Sequence, residues 1–393
     1  MKQLPVESVH CVVTSIPYWG LRSYGTEPQK WADGWIGELG NEPTIEMFVS
    51  HILKVFKEVW RILRSDGTAW LNVGDTYNNK TAGSRNPGRW PKQSRNDHSP
   101  DVKPFLKNLP PKNLCLIPAR IALALQTEGW YVRSDIIWHK PNPMPESVTD
   151  RPIKSHEYIW LLTKSAKYFY DNEAIKEDAV KTNDARPRMG QGPNTIYNQK
   201  RKDFQKSQAG GGTNVVNHLG NSMGVGGKRN KRDVWTIPTQ SFSDAHFATF
   251  PEELVENCIK AGTSEKGCCP KCGKPWVRVL EPTEEYKKLL GKYLMKKNEH
   301  QKEDVLQQGM CLETTPKACA DYKTVSWKPT CKCEMAPIPC IVLDPFFGSG
   351  TTGLVAYKLR RDWLGIELKP EYVKMANNRI AKEQENFALI ESA

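Results

Sequence analysis

The sequence is poor in long apolar runs: no stretch of its 393 residues approaches the roughly 18 uninterrupted apolar positions of a membrane-spanning helix. The opening MKQLPVESVHCVVTS lacks the apolar core of roughly 7–15 residues that marks a secretory signal, so export is not expected and a cytoplasmic location is. No internal repeat appears, which excludes solenoids and propellers. Acidic side chains are too few to balance the basic ones, 44 against 56, leaving a formal charge of +12 that favours a polyanionic partner, nucleic acid first. Cysteine is neither absent nor paired off: of eleven, eight fall between Cys268 and Cys340 while Cys11, Cys115 and Cys258 stand alone in apolar surroundings. In a reducing compartment that clustering points to a metal rather than to disulfides.

What is present reads as an α/β order. Val9 to Thr14 is a short apolar run, and Ile45, Phe48, Val49, Ile52, Leu53, Phe56, Val59, Trp60 and Leu63 keep helical spacing up to Asp66-Gly67. Thr68 to Val73 is expected to be a strand, Pro118 to Glu128 a helix stopped by Gly129, and Tyr131 to Trp138 a strand. Glu157 to Leu162 and Lys167 to Tyr170 are expected to form an antiparallel hairpin at the edge of the sheet. Two segments break the order. Residues 80–112 carry eight basic and two acidic side chains and 176–232 twelve and four, more than the whole net charge between them. Long basic loops inside an enzyme domain suit phosphate contacts, each of which releases condensed counterions.

Three local patterns carry chemistry. From Cys340 to Glu367, an apolar strand runs into Asp344, a turn with Gly348 and Gly350, a helix, and a second strand ending in Glu367. Such a βαβ unit lets backbone approach a ligand while the terminal acid accepts ribose hydroxyls; no Lys follows Gly350, so a P-loop is excluded. Near the start, Ser15-Ile16-Pro17-Tyr18-Trp19 follows the first strand, where α/β sheets place ligands. It offers a hydroxyl, a carbonyl and two rings, a set that suits a flipped base whose amine donates to Ser15 Oγ and to the Ile16 carbonyl. Third, Cys269-Pro-Lys-Cys272-Gly is a knuckle that aims two thiolates at one cation, and Cys331 with Cys333 is the expected second pair of a structural zinc site, with Cys268, Cys311, Cys319 and Cys340 as competitors. Thr249 and Glu252 form a capping box ahead of a helix with Leu254, Val255, Cys258 and Ile259 on its apolar face.

Together, TSIPYW near the start and DPFFGSGT near the end resemble the amino methyltransferases of DNA, in the motif order of their circularly rearranged β class. Ile137 to Pro145 (IWHKPNPMP), Asp150-Arg151-Pro152, His156-Glu157-Tyr158 and His246 to Pro251 are further matches, so the resemblance covers about 1–170 and 233–385. It implies a Rossmann-like methyltransferase sheet interrupted by a basic target-recognition insertion and a small zinc-ribbon-like insertion. Its boundaries would be 1–172 for the catalytic half, 173–235 for target recognition, 236–266 for a cofactor-side segment, 267–336 for the zinc insertion and 337–393 for the cofactor half. It also implies S-adenosylmethionine as cofactor, held by Asp344, Phe346, Gly348, Ser349, Gly350, Thr351 and Glu367 with Phe247, Thr249 and Pro251 beside them, and Tyr18, together with Trp19, stacking on the base. Double-stranded DNA is the implied partner, with room for a homodimer and for a cognate restriction endonuclease. The departure from the family pattern is Ile16, which stands where the family has its first proline. Ser15 favours cytosine N4 as the target; adenine N6, an RNA or protein-glutamine amine, and a DNA-binding protein with a decayed catalytic loop stay open as alternatives.

Overall fold

The computed structural model describes residues 1–21, 24–78, 106–178, 228–240, 250–288 and 321–391. Its contacts divide into two units, the first made of 1–175, 232–277 and 327–393 and the second of 176–231 and 278–326. Within the second, β7 (Glu177–Asp178) pairs with β8 (Lys228–Arg229), and Arg229 binds Glu177. The expected basic segments at 80–112 and 176–232 lie largely outside the described residues.

The first unit is built on a seven-stranded sheet. Buried at six of its seven positions, β1 (Val9–Ser15) is a central strand, with β4 (Leu63–Val73) parallel on one side and β12 (Ile341–Asp344) parallel on the other. Beyond β12 lies β13 (Asp362–Gly365); beyond β4 lies β6 (His156–Thr163), antiparallel both to β4 and to the next strand, β5 (Tyr131–His139), which pairs in parallel with short β9 (Val234–Thr236). The α/β sheet with its antiparallel hairpin is therefore present. Its partner strands differ from the expected ones: His156–Thr163 pairs with Tyr131–His139, while 167–170 leaves the sheet, where Phe169 N–H reaches Asp66 O.

Helices cover both faces. The apolar spacing of α1 (Ile45–Ile62) puts Phe48, Ile52, Phe56 and Val59 into one cluster, and Thr44 caps it by accepting from Met47 N. On the same face packs α2 (Ile117–Thr127), whose first turn is fixed by Asp75 Oδ1 accepting from Ile117 N. The opposite face is covered by α3 (Glu252–Gly262) and α4 (Thr351–Lys358), and α5 (Pro370–Glu391) packs on α4. Glu252 ties the three together through Lys358 and Arg379. Pro251, not Thr249, is the N-cap of α3, and no side chain caps it; the first helical N–H goes to Gln240 Oε1 instead. The capping box is thus corrected: the helix starts too late for Thr249 to serve it. Among the described residues no helix is long and apolar enough to cross a membrane.

Candidate active site

Parallel pairing sets Ser15, the last residue of β1, opposite Asn72 of β4, so two polar side chains stand together at the carboxyl ends of adjacent strands. Two cavities open there. The smaller, about 190 Å³, is lined by Ser15, Ile16, Tyr18, Asn72, Lys140 and Glu157, with Phe250, Ser349 and Thr351 at its margin. The larger, about 440 Å³, is lined by Pro17, Trp31, Glu38, Pro345, Glu367 and Tyr372. Ser15, Tyr24, Phe346 and Gly348 border both, so a molecule in one meets a molecule in the other at Ser15.

The cofactor-side turn is held from below. Asp344 is fully buried, accepting from Thr14 Oγ1 at 2.6 Å, Thr352 Oγ1 at 2.8 Å and Phe346 N at 3.0 Å. Burial outweighs these donors and pushes its carboxyl up to about 6. It is not among the residues that line either cavity; through Thr14 and Thr352 it joins β1, β12 and α4 and so shapes the turn. Glu367 does line the larger cavity, with Oε2 accepting from Gly348 N at 2.8 Å and Oε1 from Leu368 N and Lys369 N at 2.9 Å each. Gly348 and Gly350 have φ of +50° and +78°, the left-handed region. Arg379 closes the turn from α5 by donating to Thr351 Oγ1 at 2.9 Å. Pro251 is buried at the start of α3, its neighbour Phe250 lines the smaller cavity, and Phe247 and Thr249 lie outside the described residues.

At the catalytic motif the two rings part. Tyr18 faces the smaller cavity and its phenol donates to Glu157 Oε2 at 2.6 Å and Asn72 Oδ1 at 3.0 Å. Trp19 is 1% exposed in the core, its indole N–H donating to Glu42 O at 2.9 Å, so it has no face to offer a base; that expectation is corrected. Ile16 is likewise a core side chain, which explains a residue larger and more apolar than proline at this position.

Sequence reasoning gave no role to Asn72, Lys140 or Glu157. Lys140 Nζ binds Glu157 Oε1 and lies 4.2 Å from the centre of the Trp138 ring, while Asn72 Nδ2 donates to Glu157 Oε2 at 3.2 Å. Lys140 and Glu157 stand inside the quoted IWHKPNPMP and HEY stretches; pairing of β5 with β6, which local patterns cannot give, is what brings them together.

A strap formed by 24–42, including the pair β2 (Gln29–Lys30) and β3 (Ile36–Gly37), walls the larger cavity. Buried His51 of α1 pins it, with Nδ1 2.8 Å from Glu42 Oε1, Nε2 2.8 Å from Asp33 Oδ2, and Trp31 stacked at 3.9 Å. The His51 bond holds the Asp33 carboxyl down at about 2.

The cysteines gather as expected. Ligand atoms of Cys269, Cys272, Cys331 and Cys333 all lie within 4.8 Å of one another, and Cys272 Sγ is 3.7 Å from Cys333 Sγ. A tetrahedral zinc with bonds of about 2.3 Å separates its sulfurs by about 3.8 Å, so the four fit such an ion. Arg64, bidentate to Asp66, donates to Cys272 O at 2.9 Å, and the His10 ring lies 3.0 Å from Gly273 O. His10 and Arg64 begin β1 and β4, so the knuckle sits at the amino ends of the strands, away from both cavities.

Residues 9–269 and 340–378 match the DNA methylase family of N6 and N4 enzymes. The whole chain is 36% identical over 393 residues to the Type II methyltransferase M.XycI of Xanthomonas campestris pv. cyanopsidis, covering 100% of this chain and 88% of that one. It is 35% identical, at the same coverage, to the Type II methyltransferase M.Cfr9I of Citrobacter freundii, and 32% identical over 381 residues to M.SmaI of Serratia marcescens, covering 97% and 87%.

Proposed function

Since the chain belongs to the N6/N4 family of DNA methylases, we propose that it methylates the N4 amine of a cytosine flipped out of duplex DNA, with S-adenosylmethionine as the methyl donor. The observation that carries this reading is the meeting of the two cavities at Ser15, one of a size for a single base and the other more than twice as large. The larger fits the cofactor: Glu367 offers a carboxylate to a ribose, and Gly348 leaves the shared border free of a side chain. When bound there, S-adenosylmethionine supplies an electrophilic methyl group on a sulfonium.

The chain's own residues supply orientation. Ser15 Oγ and the Ile16 carbonyl accept from the two amine protons, drawing the nitrogen toward a usable lone pair. Tyr18, its hydroxyl anchored by Glu157 and Asn72, presents its ring for stacking, worth about 1–3 kcal/mol per base. Ser15 rather than an aspartate favours cytosine. The basic segment 176–232 is the part we assign to phosphate and target contacts, and Cys269, Cys272, Cys331 and Cys333 the part we assign to structural zinc.

The test is methylation of mixed-sequence duplex DNA with labelled cofactor, then nucleoside mass spectrometry. N4-methylcytosine, lost in Ser15→Ala with cofactor affinity kept, is expected; N6-methyladenine alone overturns the target assignment. Deleting 181–226 should weaken DNA binding and flatten its salt dependence.

A further inference from the structure

Transfer of a methyl group to an exocyclic amine leaves the nitrogen with one proton too many, and the Ser15 hydroxyl, which positions that nitrogen, cannot keep the proton. A hydroxyl accepts a proton only as it gives up its own. The smaller cavity holds one group able to end such a sequence: among its described lining residues Glu157 is the single carboxylate. Between Ser15 and Glu157 stands the Tyr18 phenol. Its proton points to Glu157 Oε2 across 2.6 Å, shared with Asn72 Oδ1 at 3.0 Å, and Ser15, set opposite Asn72 in the sheet, lines the same cavity as the phenol. Burial, then the charge of Glu157, hold the phenol well above its ordinary pKa, so Tyr18 stays a donor throughout. Lys140 on Oε1 and Asn72 Nδ2 on Oε2 fix the carboxylate and balance its charge.

We propose that Ser15, Tyr18 and Glu157 form a proton path from the target nitrogen to the Glu157 carboxylate. The path rests on the amine-methylation reading above. The N–H bond breaks with its electron pair left on nitrogen; Ser15 Oγ takes that proton and passes its own to Tyr18 Oη, which passes its own to Glu157 Oε2. One proton moves from nitrogen to carboxylate, nothing is oxidised, and the carboxyl loses the proton to solvent once the base has left. Ser15 is then the catalytic residue that touches the substrate, and Glu157 a positioning residue that acts through Tyr18. The roles of two residues of one motif and of Glu157, 139 positions beyond Tyr18, become one: each is needed only because the next is there.

The test compares Glu157→Gln, Tyr18→Phe and the double variant in single-turnover methylation of duplex DNA. Each single variant should lose about 10²-fold in rate, the usual worth of a positioned proton acceptor, with KM and calorimetric cofactor affinity within about twofold of wild type. The double variant should be no slower than the slower single, because a broken path cannot be broken twice. In the free protein, proton NMR should show a low-field Tyr18 hydroxyl resonance that disappears in Tyr18→Phe and moves upfield in Glu157→Gln. Wild-type turnover by Glu157→Gln overturns the path, as does a double variant whose loss is the product of the two singles, or a hydroxyl resonance unmoved by Glu157→Gln. Product identity is read separately: if the wild type makes N6-methyladenine, the cytosine assignment fails while the variant comparison on that product still decides the path.

Discussion

The two positive-φ glycines of the cofactor-side turn should fail in different ways when each is given a methyl group. At Gly350 a Cβ would stand 2.7 Å from Ala376 Cβ and 3.3 Å from a Phe347 ring carbon, where the start of α4 meets α5. Left-handed backbone costs a non-glycine residue roughly 1–2 kcal/mol, and overpacking adds about 1–3 kcal/mol. Gly350→Ala should therefore cost about 3 kcal/mol; with an unfolding entropy near 2.1 cal/mol/K per residue, that lowers the melting temperature by about 4 °C. At Gly348 the nearest atom to a built Cβ is Phe346 O, 4.0 Å away, so the fold feels only the backbone strain, about 1–2 °C. The new methyl instead stands at the border of both cavities, and the overpacking falls on the complex. The same 1–3 kcal/mol then appears as about a 5- to 150-fold weaker Kd for S-adenosylmethionine. Scanning calorimetry without ligand and titration calorimetry with it separate the two. If Gly350→Ala melts within about 1 °C of wild type, or Gly348→Ala binds the cofactor with wild-type affinity, the division of labour argued for this turn is wrong.

Purified, reduced protein should carry one zinc per chain, and Cys272→Ser should remove it and lower the melting temperature by at least about 5 °C. Cofactor affinity should stay within about twofold, since the knuckle lies at the other end of the strands; elemental analysis and calorimetry check both. Asp344, raised to about 6 when folded against about 3.9 when unfolded, binds its proton more tightly in the native state. Its contribution is complete below pH 3.9 and is lost as pH rises through 6, about 3 kcal/mol in all; Asp344→Asn should flatten that part of the stability–pH curve in urea titrations. His51→Ala should free the strap and strand the buried Glu42 carboxylate, weakening the cofactor Kd by about tenfold or more along with a lower melting temperature; unchanged affinity would separate the strap from the cavity.

The sequence is most legible where function and backbone geometry coincide. The turn at Gly348-Ser349-Gly350, the acid ending β13's connection at Glu367 and the cysteine knuckle are local patterns, each set by residues a few positions apart. Asp344 shows the limit of that reading: the motif marks the residue, but only the approach of Thr14 and Thr352 shows the carboxylate turned inward. Trp19 looked like a second stacking ring because its neighbour is one, and a one-residue step along the chain sent it into the core. Lys140 and Glu157 were in view as letters of matched stretches. Their chemistry depends on antiparallel pairing across an intervening loop, a non-local fact, and the same non-locality puts 131–139, not the expected 167–170, beside 156–163.

The bond from Thr14 to Asp344 joins residues 330 positions apart, and this has a consequence for how the protein is made. At about 5–20 residues per second, the ribosome needs about 15–65 s after finishing β1 before the strand that belongs beside it exists. Throughout that time VHCVVTS, which the finished sheet buries on both faces, can pair on the β4 side alone and leaves its other edge open. The sheet thus cannot close before β12 has been made, and expression at lower temperature or with more holdase chaperone should raise the soluble yield.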